Sequence, residues 1–136
     1  MKSIKLILFV AIVLLSYACS PTKHLQKTVW ISASQVEENK SVALISTLEF
    51  VTDSKVDIYH AATDGENTLV KPYIYARGSY ELIDNGSNNI EIRVEARAIN
   101  GEILNYRGLY RKNKAIILEN EDKAIQLYGK SSIKIK

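Results

Sequence analysis

Apolar and polar residues alternate most regularly in the segment from residue 90 to residue 98. One side of this segment is apolar and the other is charged, and the two sets are Ile90, Ile92, Val94, Ala96 and Ala98 against Glu91, Arg93, Glu95 and Arg97. A period of two is that of a β-strand with one dry and one wet face. Similar alternation elsewhere predicts eight strands, near residues 28–33, 43–51, 55–62, 73–83, 89–98, 102–111, 114–119 and 124–129.

Most connections between these predicted strands are short. Neighbours in sequence then pair as neighbours in space, which gives an up-and-down meander. When eight strands with one apolar face close into a barrel, the sheet no longer has exposed edge strands. The interior of a barrel of this size is filled by side chains or holds one small ligand. Gly78 and Gly108 fit this closure, because a glycine inside a strand marks a sharp bend. We therefore predict an all-β protein, an eight-stranded antiparallel up-and-down barrel.

The turn between the fifth and sixth strands has a register that the pattern itself selects. Residues opposite each other on an antiparallel pair point to the same face. A two-residue turn would set the apolar Ala96 beside the polar Asn105. A three-residue loop over residues 99–101, with a bulge and Gly101 in the left-handed conformation, instead sets Ala96 beside Leu104. We predict the three-residue loop.

Two segments interrupt the alternation. Ser34 and Glu37 have the spacing of a capping box, in which a serine and a glutamate satisfy the free amides at the start of a helix. This predicts one short helix after the first strand, over residues 34–40. Residues 60–72 are rich in Thr, Asp, Gly, Glu and Asn, which predicts the longest loop of the domain.

The beginning of the chain has the order of a secretory signal. Lys2 and Lys5 precede an apolar run from residue 6 to residue 15, and small residues around Cys19 follow it. About ten residues at about 1.5 Å each cover roughly half of a bilayer core, which favours a cleaved signal over a membrane span. We expect a signal peptide over residues 1–18, a lipidated tether over 19–27 and the barrel domain over 28–136.

The position of Cys19 indicates which kind of secretory signal this is. With Ala18 directly before it and Ser16 three before it, the stretch resembles a bacterial lipoprotein signal. The resemblance implies that Cys19 is lipidated, for example with palmitate, and that it binds the protein to a membrane. Ser20 implies, by the same resemblance, passage to the outer membrane of the cell envelope. The alternative is an ordinary secreted protein cut near Ala18, which leaves Cys19 free or paired with another molecule.

The charge balance argues against one class of partner. The chain has 18 basic and 15 acidic residues, and Lys2 and Lys5 belong to the predicted signal. A nucleic-acid-binding domain carries a basic patch or stripe, whereas the arginines of residues 90–98 alternate with glutamates. We therefore expect no nucleic acid as a partner. The single cysteine permits no internal disulfide, so the packed core has to stabilise the fold.

Three features along the predicted strands carry a family resemblance. They are Trp30 on the first strand and the segments 78–80 (Gly-Ser-Tyr) and 106–108 (Tyr-Arg-Gly). With them the chain resembles the small lipocalin-like lipoproteins of Bacteroidetes, many of which have no assigned function. The resemblance implies a barrel with a cavity that is open at one end.

Residues suited to catalysis are scarce. His60 stands alone at the end of a predicted strand, and metal binding needs partners that the sequence does not place beside it. The chain has no nucleophile elbow, no glycine-rich loop at the start of a helix and no paired histidines on a helical face. We therefore expect no catalysis, no metal site and no cofactor. A hydrolase acting near His60 would need a nucleophile and a second polar group within hydrogen-bond reach of its ring.

The aromatic residues are the candidates for binding. Those predicted to point inward, and so to line a cavity, are Trp30, Phe50, Tyr80, Tyr106 and Tyr110. Such side chains orient a small amphipathic ligand through a broad apolar face and a polar tip. The alternative is that they simply fill a small barrel. A second set is predicted on the outer face, where it could meet a partner protein: Tyr59, Tyr73, Tyr75, Ile103 and Leu109.

Two hypotheses of function follow from these patterns. In the first, a non-catalytic, lipid-anchored envelope protein binds a small apolar or amphipathic ligand inside its barrel. In the second, an accessory envelope lipoprotein has a filled barrel and binds a partner protein through its outer face. A cavity of several hundred cubic ångströms favours the first, and a filled interior with an apolar outer patch favours the second.

Overall fold

The computed structural model describes residues 25–35, 38, 41–84, 86 and 88–132. Its eight strands form one closed antiparallel barrel in sequence order. They are β1 (Thr28–Gln35), β2 (Ala43–Phe50), β3 (Lys55–Thr63), β4 (Thr68–Ile83), β5 (Asn89–Ala98), β6 (Ile103–Arg111), β7 (Ala115–Glu119) and β8 (Ile125–Ser131). The ring closes where Ile31 of β1 pairs with Gly129 of β8. The predicted up-and-down barrel is confirmed, and it is compatible with a lipocalin-like fold.

The described residues contain no helix after the first strand. Strand β1 continues through Ser34 and Gln35, which pair with Leu44 and Ala43 of β2. The prediction of a helix start at Ser34 is wrong, because the ladder between β1 and β2 already takes up the backbone groups that a cap would satisfy. Residues 36, 37, 39 and 40 of the predicted helix lie outside the described residues. No helix in the described part of the chain has the length and apolar character to cross a membrane.

The predicted register between β5 and β6 is confirmed. Ala96 pairs with Leu104, and residues 99–101 form the connecting loop. The amide of Ala98 donates to the carbonyl of Glu102 at 2.8 Å across the base of this loop. Gly101 has a φ of 87°, a left-handed conformation that glycine adopts without steric cost. The alternation of dry and wet residues therefore selected the correct turn.

Two inward-facing glycines let neighbouring backbones approach closely. A Cβ added at Gly78 would lie 1.9 Å from the carbonyl oxygen of Glu95, and one added at Gly108 would lie 1.7 Å from that of Ile117. A side chain at either position would push adjacent strands apart. The strongly curved wall of the barrel therefore requires glycine at these two positions.

The longest predicted loop is wrong. Strand β3 runs to Thr63 and β4 starts at Thr68, so only residues 64–67 remain for a turn. Between the Ile58–Ala76 pair and the Thr63–Thr68 pair, five steps along β3 match eight steps along β4. The extra residues of β4 form bulges, which break the twofold pattern and bend the strand. Polar residues predicted as a loop are therefore the end of an irregular hairpin.

These bulges also change which residues face inward. Tyr73 pairs with His60 and lines the interior, and Tyr75 packs against the buried core. Both tyrosines were predicted on the outer face, and that prediction is wrong because each extra residue reverses the facing of the residues beyond it.

The end of the barrel where the chain enters β1, here called the closed end, is filled. Leu25 and Trp30 are fully buried there. The amide of Lys27 donates to the carbonyl of Phe50 at 2.7 Å and ties the entering segment across this end. Edge-to-face ring pairs complete the packing, with centroids 5.9 Å apart for Trp30 and Tyr110 and 4.7 Å apart for Phe50 and Tyr80.

The outer surface divides into a charged part and an apolar part. On β3 to β6, Arg93 lies 3.0 Å from Glu91 and 3.7 Å from Glu81, and Arg107 lies 3.3 Å from Glu91. These pairs are solvent-exposed and contribute little to stability. The apolar part is a row across β6 to β8, here called the apolar outer row, in which three outward residues lie side by side in register: Leu109, Ile117 and Leu127.

Candidate functional site

A cavity of about 310 Å³ lies in the opposite end of the barrel, here called the open end. At this end β1 finishes and β2 begins, and the hairpin of β3 and β4 turns at residues 64–67. Its lining comes from β1, β2, β3, β4 and β8, so it lies inside the ring of strands. Its volume is at the lower limit of known ligand pockets.

The rim of the cavity is mainly apolar. Leu44 pairs with Ala62 across β2 and β3, and Ala62 pairs with Val70 across β3 and β4. Ala62 is buried, whereas Leu44 and Val70 are 51% and 45% exposed. Ser34, which pairs with Leu44, is the polar residue of this layer. The rim therefore presents apolar surface to whatever enters the barrel.

One layer deeper the lining is polar, and this polar floor consists of Ser46, His60, Gln126 and the hydroxyl of Tyr128. The Tyr128 hydroxyl lies 2.9 Å from Ser46 Oγ and donates to Gln126 Oε1 at 2.7 Å. Because a hydroxyl has one proton, Ser46 is then the donor to Tyr128. Among the described residues nothing accepts from the Gln126 amide nitrogen, and the free lone pairs of Ser46 remain available as acceptors.

His60 forms the second side of the floor. It lies directly opposite Ser46 on the β2–β3 pair, where Cβ atoms are about 5 Å apart. Its ring stacks on Tyr75 with centroids 4.0 Å apart and planes 12° apart, and the edge of Tyr73 lies near it. Within the described residues, no hydrogen bond to the ring nitrogens is formed. The ring is therefore held by stacking while its nitrogens stay available to the cavity.

The floor carries no formal charge at neutral pH. Burial lowers the pKa of His60 below its ordinary value of 6.5, so the ring is neutral at pH 7 and offers one donor and one acceptor. Burial raises the pKa of Tyr128 to about 12, so its hydroxyl keeps its proton. Of the described residues, no Asp, Glu, Lys or Arg lines the cavity.

Four of the five aromatic residues predicted to line a cavity lie in the closed end: Trp30, Phe50, Tyr80 and Tyr110. The polar atoms of two of these side chains have partners, since Trp30 Nε1 donates to Thr28 Oγ1 at 2.9 Å and the Tyr80 hydroxyl donates to the Thr52 carbonyl at 2.8 Å. Tyr106 packs partly buried against the same core. The open-end cavity is lined by other residues.

Two further sequence predictions concern lipid and metal. Cys19 lies outside the described residues, so the structure bears on neither its lipidation nor the predicted signal. Over the part of the chain that is described, no group of three or more His, Cys, Asp or Glu residues converges as a metal site. The carboxylate of Asp64 accepts from the amides of Glu66 and Asn67 at 2.9 and 2.6 Å, which holds the turn between β3 and β4.

The polar floor was not predicted as a group from the sequence, although His60 was singled out as a lone residue at a strand end. Its members stand at the inward positions of their strands, where an apolar residue is the rule: Ser46 between Leu44 and Leu48, and His60 beyond Ile58. Polar residues that repeatedly occupy the dry side of a predicted strand were the available signal. Gln126 gave no such signal. Its apolar neighbours on β8, Ile125 and Leu127, point outward, so the pattern of this strand does not mark the side of Gln126 as the inner one.

Comparisons of the chain with protein-family models, with curated proteins and with solved structures give no match. The likeness to lipocalin-like proteins therefore rests on the barrel architecture. A shared fold does not fix a function, which depends instead on the residues of the cavity.

Proposed function

We propose that this chain is a non-catalytic, lipid-anchored protein of the bacterial envelope whose barrel binds a small apolar or amphipathic ligand in its open end. The observation that carries the proposal is the cavity of about 310 Å³ inside the ring of strands. The closed end shows that this chain can fill a barrel completely where it has large inward residues. The presence of a cavity at the other end therefore supports a binding role.

The absence of catalysis is part of this proposal. A hydrolase would need a nucleophile hydrogen-bonded to His60. The nearest candidate by register is Ser46, but its hydroxyl is paired with Tyr128, at 2.9 Å. No described residue forms a hydrogen bond to the His60 ring, which favours binding over acyl transfer.

Membrane attachment through Cys19 is the second part of the proposal, and its support is the lipoprotein-like signal. The test is the mass of the mature N-terminus together with fractionation of the cells. We expect an acylated Cys19 in the membrane fraction and loss of acylation in Cys19→Ser, with Ser20→Ala as the control. An unmodified chain in the soluble fraction would contradict this part alone.

The ligand is tested by native mass spectrometry of the protein purified from its own cells. We expect a retained mass in the unaltered protein and its loss in Ala62→Phe, which places a ring inside the cavity. The matched control is Ala33→Phe, because Ala33 lies on β1 and is exposed on the outer side of the barrel. A bare unaltered protein, or equal cargo in both variants, would contradict ligand carriage.

A second function, as an accessory protein that binds a partner, is favoured by the apolar outer row. Leu127 is 62% exposed and Leu109 is 38% exposed, with Ile117 between them in register. Adjacent exposed apolar side chains mark interaction surfaces. Crosslinking in intact cells tests this function: Leu127→Glu should abolish a crosslinked partner, whereas Glu95→Gln on the charged part should leave it. An unchanged pattern in Leu127→Glu would reject it.

A further inference from the structure

The open-end cavity has an unusual order of polarity along its depth. Leu44 and Val70 make the rim apolar, whereas Ser46, His60 and Gln126 make the layer beneath it polar. A ligand that buried only an apolar tail in such a cavity would leave the floor groups without partners, which is unfavourable. The preferred ligand is one whose polar group reaches the floor.

We infer that the cavity binds a small uncharged amphipathic molecule, an alcohol or a primary amide, head first, with its polar group between His60 and Ser46 and its apolar part against the rim. This inference rests on the proposed function and specifies the ligand class of the same site. It concerns the direction in which the ligand enters as well as its chemistry.

The hydrogen-bonding groups of the floor define the head group. Ser46 offers an acceptor, the Gln126 amide nitrogen offers donors, and the neutral ring of His60 offers one of each. A hydroxyl or a carboxamide both donates and accepts, so it satisfies groups on both sides at once. Because Ser46 and His60 are direct partners on adjacent strands, one head group can bridge them.

The described residues that line the cavity carry no charge, and this disfavours ionised head groups. A carboxylate or an ammonium group on the floor would lose its hydration without gaining an opposite charge, which is strongly unfavourable. The described lining holds no such opposite charge. The site therefore selects a neutral head by the penalty that it imposes on an ion.

The size of the cavity limits the length of the ligand. A volume of about 310 Å³ equals about ten water-sized groups, at about 30 Å³ for each water. Molecules of about ten non-hydrogen atoms therefore fit with their far end at the rim, where Leu44 and Val70 are partly exposed.

The test titrates three probes of equal chain length, 1-octanol, octanoate and octylammonium, into the full chain at pH 7.5. Binding is followed by NMR at the methyl groups of Ala62 and Val70. We expect 1-octanol to bind at least about tenfold more tightly than either ion. We expect His60→Phe, which keeps a ring to stack on Tyr75, to weaken 1-octanol about tenfold, the loss of one hydrogen bond.

Ser46→Ala is the second variant, and Ser79→Ala on the charged part of the outer surface is its matched control. We expect Ser46→Ala to bind 1-octanol more weakly than the unaltered protein and Ser79→Ala to bind it with unchanged affinity. Equal affinity for all three probes with no effect of His60→Phe or Ser46→Ala would overturn the head-first inference and leave the cavity as a binding site. Absence of shifts at Ala62 and Val70 with every probe would overturn both the inference and the proposed function.

Discussion

The two ends of the barrel use the same backbone pattern and differ in what they place inside it. At the closed end Trp30, Phe50 and Tyr110 are fully buried and interlock through edge-to-face contacts. At the open end the inward positions hold Ser46 and Ala62, which are too small to meet across the ring. The comparison shows that side-chain volume and polarity decide whether a length of barrel is a core or a binding site.

The extra residues of β4 add to this difference. They lie only in the half of the β3–β4 pair that forms the open end, beyond the Ile58–Ala76 pair. Toward the closed end the same two strands pair without a shift, through Val56 and Gly78. Bulges widen and bend a sheet locally. The open end is therefore shaped by its backbone as well as by its small side chains.

The largest effect is expected from Trp30→Ala at the closed end. The change removes a fully buried ring and its contact with Tyr110, and should lower the free energy of unfolding by about 3–5 kcal/mol. Tyr73→Ala at the open end removes a ring that is 42% exposed and should cost about 1 kcal/mol. Urea unfolding measures both, and equal losses would contradict the difference between the ends.

A slightly smaller effect is expected from Gly108→Ala. The new Cβ would lie 1.7 Å from the carbonyl oxygen of Ile117, so the strands must move apart at a cost of about 3 kcal/mol. Gly129→Ala is the control, since a Cβ there meets nothing within 4 Å and alanine should stabilise the strand by about 0.5 kcal/mol. Similar unfolding midpoints for the two variants would show that closure does not depend on this contact.

Replacing an inward alanine by phenylalanine should have effects of intermediate size that differ between the two ends of the barrel. Ala96→Phe inserts a ring beside the filled core and should cost about 2 kcal/mol by overpacking. Ala62→Phe places the same ring in the cavity and should change stability by less than about 1 kcal/mol. Thermal unfolding measures the stability of both variants. A larger loss of stability in Ala62→Phe than in Ala96→Phe would mean that side chains already fill the open end.

The smallest effect concerns pH. Burial lowers the pKa of His60 in the folded state, so below about pH 6.5 the unfolded chain binds more protons than the folded one. Stability should therefore be complete above this value and fall as the pH is lowered from 7 to 5. The His60→Phe variant should lack this loss of stability between pH 7 and pH 5. The pKa values of Asp64 and Glu91 are also lowered, but these carboxyl groups affect stability only at more acidic pH. The same dependence of stability on pH in the unaltered protein and in His60→Phe would contradict the buried position of His60.

Much of the fold could be predicted from the alternation of residues, because each strand has one dry side that fixes its register. The strand from residue 89 to 98 and the loop at 99–101 were correct. Tyr73 and Tyr75 were placed on the wrong face, because bulges depend on tertiary contacts that a twofold pattern does not contain. The cavity depends on which inward side chains meet across the ring, and that contact is set only when the barrel closes.

In the proposed complex, the open end binds a small molecule with its polar group on the floor. The most direct test is a crystal structure with 6-bromo-1-hexanol, located by the anomalous signal of bromine. The head-first arrangement predicts bromine at the rim beside Leu44 and Val70 and the hydroxyl between His60 and Ser46. Bromine on the floor, or no bromine inside the barrel, would contradict this arrangement.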